Sequence, residues 1–418
     1  MIKTFPKIAL IKQKFKAPVV EDIPGEITKQ LSKLQLASKV KKGDSVAITS
    51  GSRGIANIDL ITKKVIDELK NLGANPFIVP AMGSHGGGTA EGQTDVLKKY
   101  GITEETMGVP VKSSMDVIEI GRSEYGIPVY LDKNASQADH VVVLNRVKVH
   151  TRFTGSIESG IVKMLLIGLG KREGATMYHR AINQYSFDQI IKSVAPIILS
   201  EVKILFGLAI LENAYDQVAK IEAMRPDEIL RIEPKLQEES IGLLARLPFS
   251  LPDLLIVDEM GKDLSGTGMD TNVIGKKVQP ASGAARIFVR DLTSKSHGNA
   301  CGIGLADFTT QKLVDKIDHH STYVNCITGQ RPEGAKIPMT FKTDKEAIEA
   351  ALATSGRINI DDASVMWMKN TLALEKVIVS DGFGKEIEAR DDIEQLTQFK
   401  EMEFDSTGNL VQFVDYQK

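Results

Sequence analysis

Arg53, His85 and His150 each follow a short β-rich run that gives way to polar or glycine-rich sequence. Residues 46–49 lead into Ser50-Gly51-Ser52-Arg53-Gly54, and residues 77–80 into Met82-Gly83-Ser84-His85-Gly86-Gly87-Gly88. Residues 140–144 lead into Asn145-Arg146-Val147-Lys148-Val149-His150. A guanidinium engages anionic groups, and an imidazole titrates near neutrality, so it can move protons in both directions. Any one of these residues is compatible with a surface loop. Three of them on strand ends point to a single ligand-binding edge.

Lys163 stands among Ile161, Val162, Met164, Leu165, Leu166 and Ile167. Such a lysine either snorkels to solvent or stays desolvated, which lowers its pKa and leaves a nucleophilic amine suited to covalent attachment. His179 follows sixteen residues later and can return to the same cleft. Glycines before a helix also bind anions through backbone N–H groups. On that ground Gly168-Leu169-Gly170-Lys171-Arg172 supports an anion site, though weakly, since it has neither the spacing nor the Ser/Thr of a phosphate-binding P-loop. No strict GxGxxG follows the first strand, and the chain has no HExxH or Cys/His zinc pattern.

These residues need elements to hold them. After residues 46–49, Asn57 is placed to cap a helix whose apolar positions Leu60, Ile61, Val65, Leu69 and Leu72 repeat at helical spacing up to Gly73. Residues 77–80 form the next strand, Thr89 caps a second helix ending near Tyr100, and residues 140–144 read as a strand buried on both faces. The pattern restarts near Pro248, with strands at 254–257, 287–289 and 377–380, a helix at 311–317 and another from Thr343 over 344–353. The fold class is therefore α/β: two Rossmann-like domains with mainly parallel sheets and an interdomain cleft. The expected boundaries are 1–248 for a cofactor-binding, catalytic domain and 249–418 for a second. The last strand, about 405–418 with its core at 410–414, is free to pack on the first domain.

Composition narrows the function class. The 418 residues are 42% hydrophobic and 25% charged, as in a globular protein with a sizeable core. A net charge of −2 provides no field for nucleic acid. Residues 8–11 are too short an apolar run for a signal-peptide core, and residues 161–169 are half a membrane span. No membrane is expected, and a reducing cytoplasm fits two cysteines, Cys301 and Cys326, outside any CxxC pair. A homo-oligomer is compatible with all of this.

Taken together, Gly83-Ser84-His85-Gly86-Gly87, His150, Lys163 and His179 resemble the lactate racemase family, whose members use a nickel-pincer nucleotide. The resemblance runs from about residue 43 to 179 and continues more weakly beyond. It implies Lys163 as the attachment site, through a thioamide, of a pyridinium-3-thioamide-5-thiocarboxylic acid mononucleotide. It implies His179 as the protein's nickel ligand and His85 and His150 as the acid/base pair. Arg53 would engage an anionic group of substrate or cofactor. In the second domain Asp270-Thr271-Asn272 resembles the family's Asp-x-Asn loop, and Lys262 or Lys276 would supply a cation to the substrate carboxylate. Cofactor maturation enzymes are the implied partners.

The chain also departs from the family. Thr49-Ser50-Gly51-Ser52-Arg53-Gly54 replaces an Asp-x-Thr-Arg-Pro loop, Val273-Ile274-Gly275-Lys276-Lys277 replaces Tyr-Gln and a lysine, and Glu158-Ser159-Gly160 replaces a glycine pair. A 2-hydroxy acid larger than lactate, such as a sugar acid, fits as well. His297, in a polar turn, is a candidate for reading substrate hydroxyls. Cys301 reads as a small packed residue, Trp367 as core, and His319-His320 as a solvated helix end. The functional expectation is racemisation or epimerisation of a 2-hydroxy acid. An NAD(P)-dependent oxidoreductase and a non-enzymatic sugar-acid binding protein are the alternatives.

Overall fold

The computed structural model of the chain describes residues 5–250, 252–277 and 286–413. It divides into two units, Lys16–Leu244 and Met1–Phe15 with Ala245–Lys418. The first strand, β1 (Ile8–Gln13), belongs to the second of these.

The Lys16–Leu244 unit is built on β2 (Ser45–Ser50), β3 (Asn75–Pro80), β4 (Val117–Arg122), β5 (Pro128–Asp132), β6 (His140–Arg146), β7 (Ile204–Glu212) and β8 (Val218–Met224). Five of them form a sheet in the order β3-β2-β6-β7-β8, parallel except for β8, while β4 and β5 pair as a separate antiparallel ribbon. Both sheet faces are covered, which is why the parallel strands β3, β2, β6 and β7 are mostly apolar and buried. Ala47, Val141 and Val143 pack with Ile190, Val194 and Ile198 of the Phe187–Glu201 helix. Val46, Ile48, Val142 and Leu144 pack with Ile61, Val65 and Leu69 of the Ile58–Asn71 helix.

Thr89 caps the Ala90–Lys99 helix as expected, its hydroxyl accepting from Gly92 N–H. Asn57 does not act as a side-chain cap: it stands in left-handed backbone conformation and makes no capping bond.

The other unit holds β9 (Leu254–Met260), β10 (Arg286–Leu292), β11 (Phe308–Thr310), β12 (Met339–Phe341), β13 (Val365–Met368), β14 (Lys376–Ser380) and β15 (Ile393–Gln395). Its sheet runs β12-β11-β10-β9-β13-β14-β1-β15. The first five strands are mutually parallel, and β14, β1 and β15 add antiparallel pairings.

The expected domain beginning at residue 1 is thereby corrected. Ile8 pairs with Ser380 and Ile11 with Val377, and Ile8 and Leu10 sit in the core with Leu254, Ile256 and Trp367. Leu410 is buried in that same core, so the tail up to residue 413 stays with this unit; the rest of the expected terminal strand, Val414 included, lies outside the described residues. Trp367 is core, as read, and donates its indole N–H to Asp258 at 2.6 Å. His319 and His320 are exposed, but they open the His319–Thr328 helix instead of closing an earlier one. Among the described residues no helix is long and apolar enough to cross a membrane.

Candidate functional site

In the five-stranded sheet β2 leads to β3 on one side, and the chain then returns to lay β6 on the other. Such a reversal of strand order opens a crevice at the strands' carboxyl ends, where parallel sheets bind ligands. The loops leaving β2, β3 and β6 carry Arg53, His85 and His150 to that edge.

Lys163 arrives on a short helical stretch, with Ile161–Lys163 in α geometry and Met164–Gly168 in π geometry. A π turn inside a helix re-aims side chains and is common at functional sites. Phe153 is the centre about which the side chains gather. The Lys163 amine lies 5.2 Å from its ring centroid, and the His150 ring stacks on it at 4.1 Å and 10°. The His179 ring lies 6.3 Å away, and Phe187 closes the other side at 4.3 Å. Three of the four residues central to the resemblance therefore share one neighbourhood.

The electrostatics follow from this enclosure. Desolvation, with Arg53 and Lys148 as neighbouring cations, lowers the Lys163 amine to about 7, and Glu158 opposes the shift. About half of the lysine is thus free amine at pH 7, although part of its surface reaches solvent. Burial, then Arg152 and Lys163, holds the His179 imidazole down at about 4, so the ring is neutral. Its Nδ1 is buried without a hydrogen-bond partner. On His150 the Nδ1 accepts from the amides of Arg152 and Phe153, both at 3.1 Å. The neutral ring therefore keeps its proton on Nε2. The His150 amide in turn donates to Glu158 Oε2 at 2.7 Å.

His85 is exposed and reaches this group through its neighbours. Its Nδ1 hydrogen-bonds the Ser52 hydroxyl, and Ser52 is pinned by Tyr100, whose hydroxyl donates to the Ser52 carbonyl at 2.9 Å. Arg53, next in the chain, is one of the cations that depress Lys163. The loop's Gly83, at φ +58°, backs so closely onto Ile167 and Ala175 that a Cβ there would meet them at 3.3 and 3.4 Å.

The Gly-Lys pair does not offer its lysine to an anion. Lys171, in left-handed conformation, turns its amine inward: it donates to the Pro80 carbonyl and to Gln93 Oε1 at 3.3 Å, and it pairs with Asp132 at 3.2 Å. Both partners of the pair are fully buried. Desolvation leads the shift of each, lowering Lys171 and raising Asp132. Gln93 passes the connection on, donating to the carbonyls of Gly83 at 2.8 Å and His85 at 3.4 Å. The cation thus pins the His85 loop to the start of the helix that carries His179. Neither this role nor that of Phe153 was evident in the sequence, where Lys171 reads only as part of the weak anion-site motif and Phe153 carries no signal.

The remaining candidates lie in the other unit, on the loops after β9 and β10. Lys262 donates to the Gly266 carbonyl within its own loop. Asp270 Oδ1 accepts from the Asn272 amide and side chain, both at 2.9 Å. His297, exposed and left-handed, ends a turn that begins at Thr293. The sulfur of Cys301 lies 3.3 Å from that of Cys326, and both are free thiols. Among the described residues no three His, Cys, Asp or Glu side chains gather to hold a metal by themselves.

No curated protein matches the chain. Among solved structures it is similar in fold to the lactate racemase apoprotein from Thermoanaerobacterium thermosaccharolyticum. That likeness has 13% identity and a TM-score of 0.54, and it covers 87% of this chain and 94% of that one. The family model for the lactate racemase N-terminal domain matches residues 7–188, the stretch that holds Arg53, His85, His150, Lys163 and His179. Residues 7–188 are thus similar to the lactate racemase N-terminal domain, and the fold of the chain to a lactate racemase apoprotein.

Proposed function

We propose that the protein is a racemase or epimerase of a 2-hydroxy acid, lactate or a larger acid such as a sugar acid, and that it works with a nickel-pincer nucleotide carried on Lys163. The observation that carries this reading is the gathering of a free amine and two imidazoles around Phe153. The residues suit the group. An amine lowered to about 7 is nucleophilic at neutral pH. The His179 ring is neutral with a buried, unpartnered nitrogen, which is what a single protein ligand to nickel requires. With no three-residue ligand cluster among the described residues, the metal's other ligands would come with the nucleotide. When bound, the group supplies a reversible acceptor for the hydride of the substrate's C–H.

The protein's own side chains would then bind, orient and move protons. The C–H of a 2-hydroxy acid is a poor acid beside a carboxylate, so the proton to be managed is that of the hydroxyl. Two orientations of substrate call for two imidazoles, His85 and His150. They start in unlike states. His150 presents an N–H at Nε2, because its other nitrogen is held by two amides. His85 faces a hydroxyl that can donate or accept, so its Nε2 can present either a proton or a lone pair. His85 can therefore take the hydroxyl proton without losing a backbone bond. Arg53 offers a guanidinium for the substrate carboxylate.

The test is incubation of protein matured with the nucleotide's biosynthetic enzymes, using a panel of 2-hydroxy acids in deuterated water, read by chiral chromatography and mass. Inversion without deuterium at carbon supports the reading. Deuterium at that carbon would mean proton abstraction instead. A change in nicotinamide absorbance would mean an NAD(P) oxidoreductase, and tight binding without inversion a sugar-acid binding protein.

A further inference from the structure

The segment that presents Lys163 is held from behind by one helix, Ile229–Leu243. Glu233, fully buried, accepts from the amide of Val162 at 3.0 Å and also from that of Ile161. One turn later Gln237, 5% exposed, accepts from the Glu158 amide at 2.5 Å and donates to the Gly155 carbonyl at 3.0 Å. Two polar side chains at i and i+4 thus grip residues 155–162 through backbone bonds alone. The grip reaches further. Glu158, whose amide Gln237 holds, receives the His150 amide on its carboxylate. Asn145, at the end of β6, donates to the Gly160 carbonyl at 2.8 Å.

Gly160 sits inside this arrangement at φ +152°, and a Cβ there would collide with Glu233 Oε1 and with Val147 at 2.8 Å. Only glycine lets the carboxyl group reach the amides. Burial raises Glu233 to about 8, so at neutral pH it is an uncharged acid, similar in shape and hydrogen bonding to glutamine. A buried carboxyl group without an ionic partner is costly. Its place beneath the Lys163 turn gives that cost a purpose.

We propose that Glu233 and Gln237 are positioning residues that hold the Lys163 segment so that the amine stays enclosed for covalent modification, with His150 aligned through Glu158. The role assigned to Lys163 rests on the function proposed above; the grip itself can be tested without cofactor.

The experiment measures acylation of Lys163 by acetic anhydride against pH in the full chain as isolated, by peptide mass spectrometry, together with hydrogen exchange of the Glu158 and Val162 amides. The unmodified sequence is expected to label with a midpoint near 7 and to protect both amides from exchange. Glu233→Leu and Gln237→Leu free the segment and return the amine to water. A midpoint raised to about 8 leaves about one amine in eleven unprotonated at pH 7 instead of one in two, roughly a five-fold loss of labelling rate. Glu233→Gln keeps the acceptor and should keep the profile of the unmodified sequence.

The proposal is overturned if folded leucine variants label as the unmodified sequence does. It is equally overturned if the Glu158 and Val162 amides of the unmodified sequence exchange as fast as exposed loop amides; this second result needs no variant to fold. Should matured protein carry no modification on Lys163, the proposed function fails while the labelling and exchange results still decide the grip.

Discussion

Replacing Lys163 by methionine is expected to stabilise the chain free of cofactor, because the folded state disfavours the lysine's charge. In the unfolded chain the amine titrates at its ordinary 10.5, and in the folded protein at about 7. Between those values the unfolded chain holds a proton that the folded one does not, so this residue's contribution makes stability rise with pH across that window and leaves it flat below. The full difference corresponds to about 5 kcal/mol below pH 7. Lys163 keeps part of its surface in solvent, so the expected gain at pH 6 is about 2–5 kcal/mol, falling to less than half of that by pH 9. Methionine has similar length and no charge, so packing is largely kept. Urea denaturation of both proteins at pH 6, 7.5 and 9 measures the difference, and every other titrating group cancels between them. A methionine variant no more stable at pH 6, or one whose gain is the same at pH 6 and pH 9, would refute the reasoning.

Other perturbations follow from the same geometry. Lys171→Met leaves Asp132 buried without its cation and should cost about 3–5 kcal/mol in urea denaturation, part of it recovered when Asp132→Asn is added, which removes the charge and keeps the acceptor for the Ala135 amide. His85→Gln should lower turnover of matured protein by about 10²–10⁴-fold by chiral chromatography, and Ser52→Ala by less, with a displaced pH profile. Glu233→Gln should raise stability at pH 8 and above relative to the unmodified sequence. Its carboxyl group titrates at about 8 when folded and near 4.5 unfolded, so its penalty grows as pH rises from 4.5 to 8. Equal melting curves for these two proteins at pH 9 would contradict that origin.

Much of the site edge was legible in the sequence because strand periodicity and glycine-rich loops are local signals. The apolar runs at 46–49, 77–80 and 140–144 named the strands, and the loops after them named Arg53, His85 and His150. Lys163 was legible as a cation in an apolar run, yet whether it would snorkel depends on Phe153 and Arg53, which only the fold brings near. β1 and its destination were not legible: residues 8–11 read only as a short apolar run, and the strand they pair with, β14, lies more than three hundred residues on. Lys171 misled for the reason that Gly-Lys sequences usually do. Its left-handed backbone, which turns the amine inward, leaves no mark in composition. Glu233 did leave a signal. Ile229, Glu233, Leu236, Ser240 and Leu243 fall at helical core spacing, so a carboxyl group and a hydroxyl occupy positions where apolar residues are expected.

The central claim is that one amine and one imidazole, sixteen residues apart, hold the same metallated group. Protein matured by coexpression with the cofactor's biosynthetic enzymes should be digested for the mass of the Lys163 peptide and assayed in parallel for nickel. The expected result is a nucleotide-sized increment on Lys163 with an equimolar amount of nickel, both lost in Lys163→Ala and nickel alone lost in His179→Ala. An unmodified Lys163 peptide from fully matured protein, or nickel retained at full level in His179→Ala, would contradict it.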